Sequence, residues 1–202
     1  MSEVIKGPWP DPVTPGSKSR PAAKIPGSDW ATGLVQAPPT TRVPSFRPLT
    51  AADQQRLWHW LHLALWDPAP AGPRPLAALE RTEARIYAED WGRPTDLGMV
   101  AVVDGTDAGA CWMRVLPAGV GLASVDAVTP QLGIALEPAY RRQGFGRALM
   151  MRTLREAWDR GHPQVSLTVH RLNPAVALYE ACGFRRIDER GPYHLMLAKA
   201  SG

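Results

Sequence analysis

Residues 141–148 read RRQGFGRA, two arginines and a glutamine followed by two glycines that flank a phenylalanine. Glycine at the junction of a strand and a helix lets backbone amides come close to a ligand, and the helix start adds partial positive charge, so phosphate is the natural guest. A tight turn that uses glycine only for its backbone freedom gives the same letters. On these eight residues the two readings stand level. The nucleotide motifs do not fit: a P-loop needs Gly-Lys-Ser/Thr, and a dinucleotide fingerprint needs a third small residue where Leu149 stands. Further on, NPAVALYEACGF carries Asn173 and Tyr179. A tyrosine on the inner face of a helix can be a packing aromatic. His59 and His62 lie three apart without Cys, Asp or Glu ligands at suitable spacing, so they read as ordinary helix residues and no metal is expected. Cys111 and Cys182 are isolated and read as small buried hydrophobes.

These residues need elements to hold them. VPSFRPL reads as a short strand, and Thr50 with Asp53 imitates a capping box ahead of a helix that runs to about Trp66, with Leu57, Leu61 and Leu65 spaced by four. Pro75 suits a first helical position, and Leu76, Leu79 and Ile86 mark a second helix ending near Trp91. LGMVAVVD and GACWMRVLP, joined through DGTDA, predict an antiparallel pair, and QLGIALE is the next strand. RRQGFGRA opens a helix carrying Leu149, Leu154 and Trp158 and closed by Gly161. VSLTVHR is a strand, Asn173 and Pro174 cap and start a short helix that Gly183 stops, and FRRIDE with YHLMLAK form a last strand pair. The order β αα βββ α β α ββ predicts an α/β fold, a mixed sheet with helices on its faces.

The 202 residues, 45% of them apolar, suffice for one packed domain with a tail. Residues 1–42 are dense in Pro, Gly, Ser and Thr and cannot offset their ordering entropy by burial, so they read as a flexible or loosely docked extension, with the domain at 43–202. Of the formal charge of +4, the first 48 residues contribute +3 through Lys6, Lys18, Lys24, Arg20, Arg42 and Arg47 against Glu3, Asp11 and Asp29. A basic groove is therefore not indicated, and no nucleic-acid partner is expected. The opening MSEVIKGPWPDPV is broken by charge and proline, and no apolar run is long enough for a membrane span, so a soluble cytoplasmic protein is expected.

Taken together, the motifs resemble those of the GNAT superfamily of acyl-CoA-dependent N-acyltransferases. Arg141-x-x-Gly144-x-Gly146 is similar to its Q/R-x-x-G-x-G/A loop, FRPLTAAD resembles its usual opening, and ALYEACGF resembles its second signature, at the right separation and over roughly residues 43–198. The resemblance implies a splayed central sheet whose free backbone groups at Ile134, Ala135 and Leu136 pair with the pantetheine arm of acetyl-CoA. It implies that the pyrophosphate sits on the amides of Arg142, Gln143, Gly144, Phe145, Gly146 and Arg147, with Arg141, Arg142 and Arg147 adding charge. Asn173 would hold the cofactor arm or cap its helix, and Tyr179 would protonate the leaving thiolate. The first two helices would border the acceptor pocket, so Trp58, Trp60, Trp66, Tyr87 and Trp91 are either packing residues or an aromatic wall.

The general base is not placed by motif. Many relatives carry a glutamate where Thr168 stands, others one where Gln131 stands, and Asn173 precedes Tyr179 by six residues rather than seven. Glu137, Asp126 and His170 lie near in sequence, and a water chain is a further route. Two functions follow: an N-acetyltransferase using acetyl-CoA on a small-molecule or peptide amine, or an acyl-CoA-binding module without turnover. The extension suits recruitment of a protein partner, and a homodimer is compatible with the chain.

Overall fold

A computed structural model describes residues 42–200. The expected extension falls outside the described residues except for Arg42, whose Nε lies 2.7 Å from the Asp104 carboxylate. The elements run β1 (Ser45–Pro48), α1 (Gln54–Ala64), α2 (Thr82–Arg85), β2 (Leu97–Val103), β3 (Thr106–Arg114), β4 (Gln131–Leu136), α3 (Phe145–Asp159), β5 (Gln164–His170), α4 (Val176–Ala181), β6 (Arg185–Arg190) and β7 (Tyr193–Lys199), with 3-10 turns at Ala51–Asp53, Leu76–Glu80 and Pro138–Tyr140. Seven strands form one sheet in the order β1-β2-β3-β4-β5-β7-β6.

Strand periodicity divides the core in two. Cys111 and Met113 of β3 face α3, joining Met99, Leu132, Leu149, Met150 and Leu154. Ala110 and Trp112 face the other way, onto Leu57, Trp60 and Leu61 of α1 and Leu79. Leu149 is 0% and Leu154 2% exposed, and full burial of such a side chain contributes about 1.5–3 kcal/mol. The β2–β3 hairpin turns at Asp104 and Gly105, both at positive φ (49° and 76°), so β3 begins earlier than the DGTDA segment suggested. The outer strand β6 is exposed along most of its length and carries Arg185, Arg186, Asp188, Glu189 and Arg190, charges that discourage pairing with another chain.

The capping box forms, with the Thr50 amide donating to Asp53 Oδ2 at 2.8 Å, but it heads a 3-10 turn that leads into α1. The expected second helix is not continuous. A 3-10 turn gives way at Arg81, whose ψ is 138°, and α2 spans four residues before the chain turns through Asp90 and Gly92. The far end of this segment is held from β3. Arg114, 0% exposed, pairs with Asp96 at 2.7 and 2.8 Å and donates to the carbonyls of Ile86 (3.0 Å), Glu89 (2.7 Å) and Asp90 (3.3 Å). Those carbonyls turn toward a buried cation instead of continuing a helical ladder.

Candidate active site

The sheet opens between β4 and β5. These parallel strands share one register pair, Gln131 with Ser166, whereas β3 and β4 pair along all of β4. Antiparallel ladders alternate the side to which each residue directs its N–H and C=O. The Glu137 amide reaches Ala108 on the β3 side (2.9 Å) and the Pro130 carbonyl accepts from Ser166 on the β5 side (3.0 Å), which fixes the parity. Leu132, Ile134 and Leu136 therefore present backbone groups to the gap. Ala135, also expected at the free edge, directs its own toward β3 and is 6% exposed, so the three consecutive pairs expected of residues 134–136 reduce to alternate ones. One group is already engaged: Arg141 Nε donates to the Leu136 carbonyl at 2.9 Å.

At the end of β4 the chain makes the loop that carries RRQGFG. Arg142 and Gly144 take left-handed φ of 59° and 83°. Phe145, 3% exposed, packs with Tyr140, Val103 and Ala108 and anchors the loop from below. Gln143 Nε2 donates to the Ala139 carbonyl at 2.7 Å. The first amides of α3 to close helical turns are those of Arg147 and Ala148, both onto the Gly144 carbonyl (3.1 and 3.2 Å). The amides of Gly144, Phe145 and Gly146 precede them at the helix start. A Cβ on Gly144 would meet nothing within 4 Å, and one on Gly146 only Leu136 and Leu178 at 3.4 and 3.5 Å, so protein packing fills neither position. Arg141, Arg142 and Arg147 are exposed around this loop.

A cavity of about 140 Å³ runs into the gap, with Leu132, Gly133, Thr168, Asn173 and Tyr179 on its walls. Asn173 Oδ1 accepts from the Ala175 amide (2.9 Å), a cap for the turn that launches α4. Tyr179 lies edge-on to Phe184 (6.1 Å between ring centroids), and its hydroxyl has no hydrogen-bond partner among the described residues. Burial, with smaller contributions from the neighbouring Cys111 and Cys182, drives its pKa well above that of a free phenol. Both cysteines are buried and free, and burial pushes the Cys111 thiol up to about 12, so neither offers a thiolate.

The opposite wall is aromatic but not in the way helix spacing suggested. Trp66 and Tyr87 line the cavity, joined by Trp112 and Tyr193, which the sequence did not single out. Trp58, Trp60 and Trp91 lie in the core beneath. Gly133 lets the Trp112 indole lie against β4, since a Cβ there would come within 2.6 Å of the ring. Tyr87 is held from both sides: its hydroxyl donates to Gln131 Oε1 (3.1 Å) and accepts from the Leu122 amide (3.0 Å), while Gln131 Nε2 donates to the Val120 carbonyl (2.7 Å). Gln131, where some relatives carry a carboxylate, is thus consumed in fixing the 120–122 loop.

The candidate bases separate. Asp126 accepts from the amides of Val128 (2.8 Å) and Thr129 (2.6 Å), and these and neighbouring hydrogen bonds lower its pKa, as a turn-forming carboxylate. Glu137 pairs with His59 Nε2 at 2.7 Å, and neither lines the cavity. His62 Nε2 meets the Arg74 carbonyl at 2.7 Å, so the two α1 histidines serve different partners. His170 does line the cavity, but its Nδ1 accepts from the Leu172 amide at 3.1 Å. An amide N–H only donates, so neutral His170 carries its proton on Nε2 and has no lone pair left to receive one there. Among the described residues no carboxylate lines this cavity, and no helix is long and apolar enough to cross a membrane.

Residues 57–184 match the model of the acetyltransferase (GNAT) family. The chain is 31% identical over 173 residues to a mycothiol acetyltransferase of Thermobifida fusca, covering 84% of this chain and 50% of that one. It is 42% identical over 62 residues, 30% of this chain and 42% of the relative, to the ribosomal protein bS18-alanine N-acetyltransferase of Escherichia coli K12. The chain thus spans about half the length of the mycothiol acetyltransferases it matches. In three dimensions it superposes on the PaiA N-acetyltransferase of Thermoplasma acidophilum bound to coenzyme A, with a TM-score of 0.58 at 19% identity over 78% of this chain and 99% of that one. The Escherichia coli S18-alanine N-acetyltransferase gives 0.56 at 23% identity over 79% and 97%. These structural likenesses establish the fold.

Proposed function

The chain belongs to the acetyltransferase (GNAT) family, and on that basis we propose that it transfers an acetyl group from acetyl-CoA to a primary amine by direct attack on the thioester. The observation that carries this reading is the gap between β4 and β5, with free backbone groups along β4, the open glycine loop after its end, and a cavity whose walls include Leu132 and Tyr179. The residues present fit the donor. Ile134 and Leu136 supply backbone partners for its amide-bearing arm, and the amides from Arg142 through Gly146 with the Arg141, Arg142 and Arg147 side chains receive its pyrophosphate, the Arg147 amide being spent on the Gly144 carbonyl. Asn173 holds the turn beside that arm.

In the reaction the amine nitrogen bonds to the thioester carbonyl carbon, the C–S bond breaks, and Tyr179 gives its proton to the departing sulfur. A backbone amide of the free β4 edge stabilises the oxyanion. Burial that raises the Tyr179 pKa also disfavours a thiolate at the same place, so donor and receiver rise together. The lining supports a neutral amine as the attacking species, since it offers no carboxylate to hold an ammonium and His170 Nε2 is a donor. The proton released by the amine passes to solvent, and Tyr179 regains one from solvent before the next turnover. The acceptor is a small molecule or a peptide terminus; the mycothiol and bS18-alanine relatives support both. The absence of a carboxylate in the lining also favours a second reading, an acyl-CoA-binding module without turnover.

Thiol release from acetyl-CoA with an amine panel separates the two: release supports the enzyme, and coenzyme A binding without release for any amine supports the module. In the active case Tyr179→Phe lowers kcat about a hundredfold with the KM for acetyl-CoA held within about threefold. Unchanged turnover at saturating acceptor removes Tyr179 from the acid role.

A further inference from the structure

His170 occupies the last position of β5, where the acceptor wall meets the turn that starts α4. On one side its ring stands edge-on to Tyr193 (5.5 Å, 87°) and tilted against Trp66 (5.7 Å, 54°). Tyr193 in turn receives a long contact from Arg74 (3.5 Å), which is paired with Asp67. On the other side a relay of hydrogen bonds leads to the acid. The Leu172 amide donates to His170 Nδ1 (3.1 Å) and the Asn173 amide to the His170 carbonyl (2.8 Å). The Ala175 amide then donates to Asn173 Oδ1 (2.9 Å), and the Tyr179 amide to the Ala175 carbonyl (3.1 Å).

We infer that His170 is a positioning residue whose Nδ1 lone pair locks the Leu172–Asn173 turn and so sets α4, with Tyr179 on it, against the acceptor wall. This rests on the acetyltransferase reading for its consequence but not for its geometry. The lock works only while the ring is neutral. A proton on Nδ1 would turn the acceptor into a second donor facing the Leu172 N–H, and the bond would be lost. The charged groups around the ring act in both directions: Arg171 on its own segment and His194 on β7 disfavour a proton, and Asp67 favours one. Arg74 and Tyr193 stand beyond, already engaged with each other and with Asp67. Burial first, then Arg171, place the His170 pKa below the ordinary histidine value. The lock is therefore closed at neutral pH and opens as pH falls through that lowered value.

Three variants of one measurement test this. Wild-type kcat at saturating substrates should show an acidic limb with an apparent pKa below 6.5. His170→Asn keeps an acceptor oxygen near the Nδ1 position without titrating, so whatever its kcat at neutral pH it should flatten that limb. His170→Leu removes the acceptor and should lower kcat about tenfold, the equivalent of one hydrogen bond, with the KM for acetyl-CoA little changed. A readout independent of turnover is the backbone NMR resonance of Leu172, which should titrate together with the His170 ring. If the Leu172 amide ignores His170 ionisation, or His170→Asn keeps the acidic limb, the inference is overturned. If Leu172 follows His170 while no amine releases thiol, the lock stands and the acetyltransferase reading falls instead.

Discussion

On the side of the cleft that the proposed reading gives to the donor, from the free edge of β4 to the 141–147 loop, the groups that face the gap are mostly backbone. On the side it gives to the acceptor, from Trp66 across Trp112 to Tyr193, they are mostly side chains. The donor side needs little support beyond left-handed φ at Arg142 and Gly144 and a Phe145 anchor. The acceptor side is propped by buried polar contacts: Arg114 with Asp96 beneath the 86–90 carbonyls, and Gln131 with Tyr87 beneath the 120–122 loop. Backbone recognition tolerates sequence change and depends on conformation. Side-chain recognition depends on packing, so damage there should appear first as lost stability.

The largest effect that separates the sides is expected from Arg114→Ala, which leaves Asp96 buried without its cation and removes the bonds to the Ile86 and Glu89 carbonyls. Breaking such a pair costs about 3–5 kcal/mol, which calorimetry should record as a fall in Tm of roughly 10 °C or more. The pH dependence sharpens the point. Burial raises the Asp96 pKa, but the Arg114 hydrogen bonds and the Gly92 and Arg93 amides outweigh it, so the folded value lies below the ordinary one. A depressed folded pKa contributes stability that is present above about pH 4 and lost as pH falls through the folded value. Arg114→Ala lets the folded Asp96 pKa rise toward the unfolded one and should therefore shrink the acid limb of stability. An unchanged limb would mean that the Arg47-paired Asp53, whose pKa is also lowered, governs it.

A smaller and more local effect is expected at Gly133. A valine there would overlap the Trp112 ring, where a Cβ alone reaches 2.6 Å. Such overpacking costs about 1–3 kcal/mol, and steady-state kinetics should show a raised acceptor KM with acetyl-CoA binding, followed by calorimetric titration, nearly intact. If donor binding fell equally, the two sides would not be separable. The smallest contrast lies within the loop. Gly144→Ala is strained by its φ of 83°, costing about 1 kcal/mol, and should weaken acetyl-CoA binding. Gly146→Ala has room and gains about 0.5–1 kcal/mol of helix preference, so a fall in acetyl-CoA affinity there would report a ligand against that position rather than strain.

Much of the donor side could be read from sequence because its requirements are local. A turn that needs positive φ selects glycine at 144, a helix start after a strand follows from apolar spacing, and both motifs keep a fixed separation. The alternation within β4 was not legible. Ile134, Ala135 and Leu136 are alike as letters, and only pairing with β3 decides which of them face the gap. The acceptor side was legible in outline only: Trp66 and Tyr87 line the cavity, while Trp58, Trp60 and Trp91 are core. Trp112 and Tyr193 reach the cavity through pairing of their strands with β4 and β5, and no spacing signals them. The end of the second helical segment was not legible for a related reason, since Arg114, which takes its last carbonyls, lies 25 positions beyond Glu89.

Glycine placement, apolar periodicity and the two motifs therefore determined the element order and the strand-to-helix loop, because each depends on neighbours along the chain, while the acid role proposed for Tyr179 comes from the resemblance. Tertiary structure alone decided which β4 groups stand free, that Gln131, Asp126 and Glu137 are engaged elsewhere, and that His170 gives its lone pair to Leu172. Each of those outcomes depends on which polar group a distant segment brings within hydrogen-bond reach, and a buried polar group takes the partner that folding delivers.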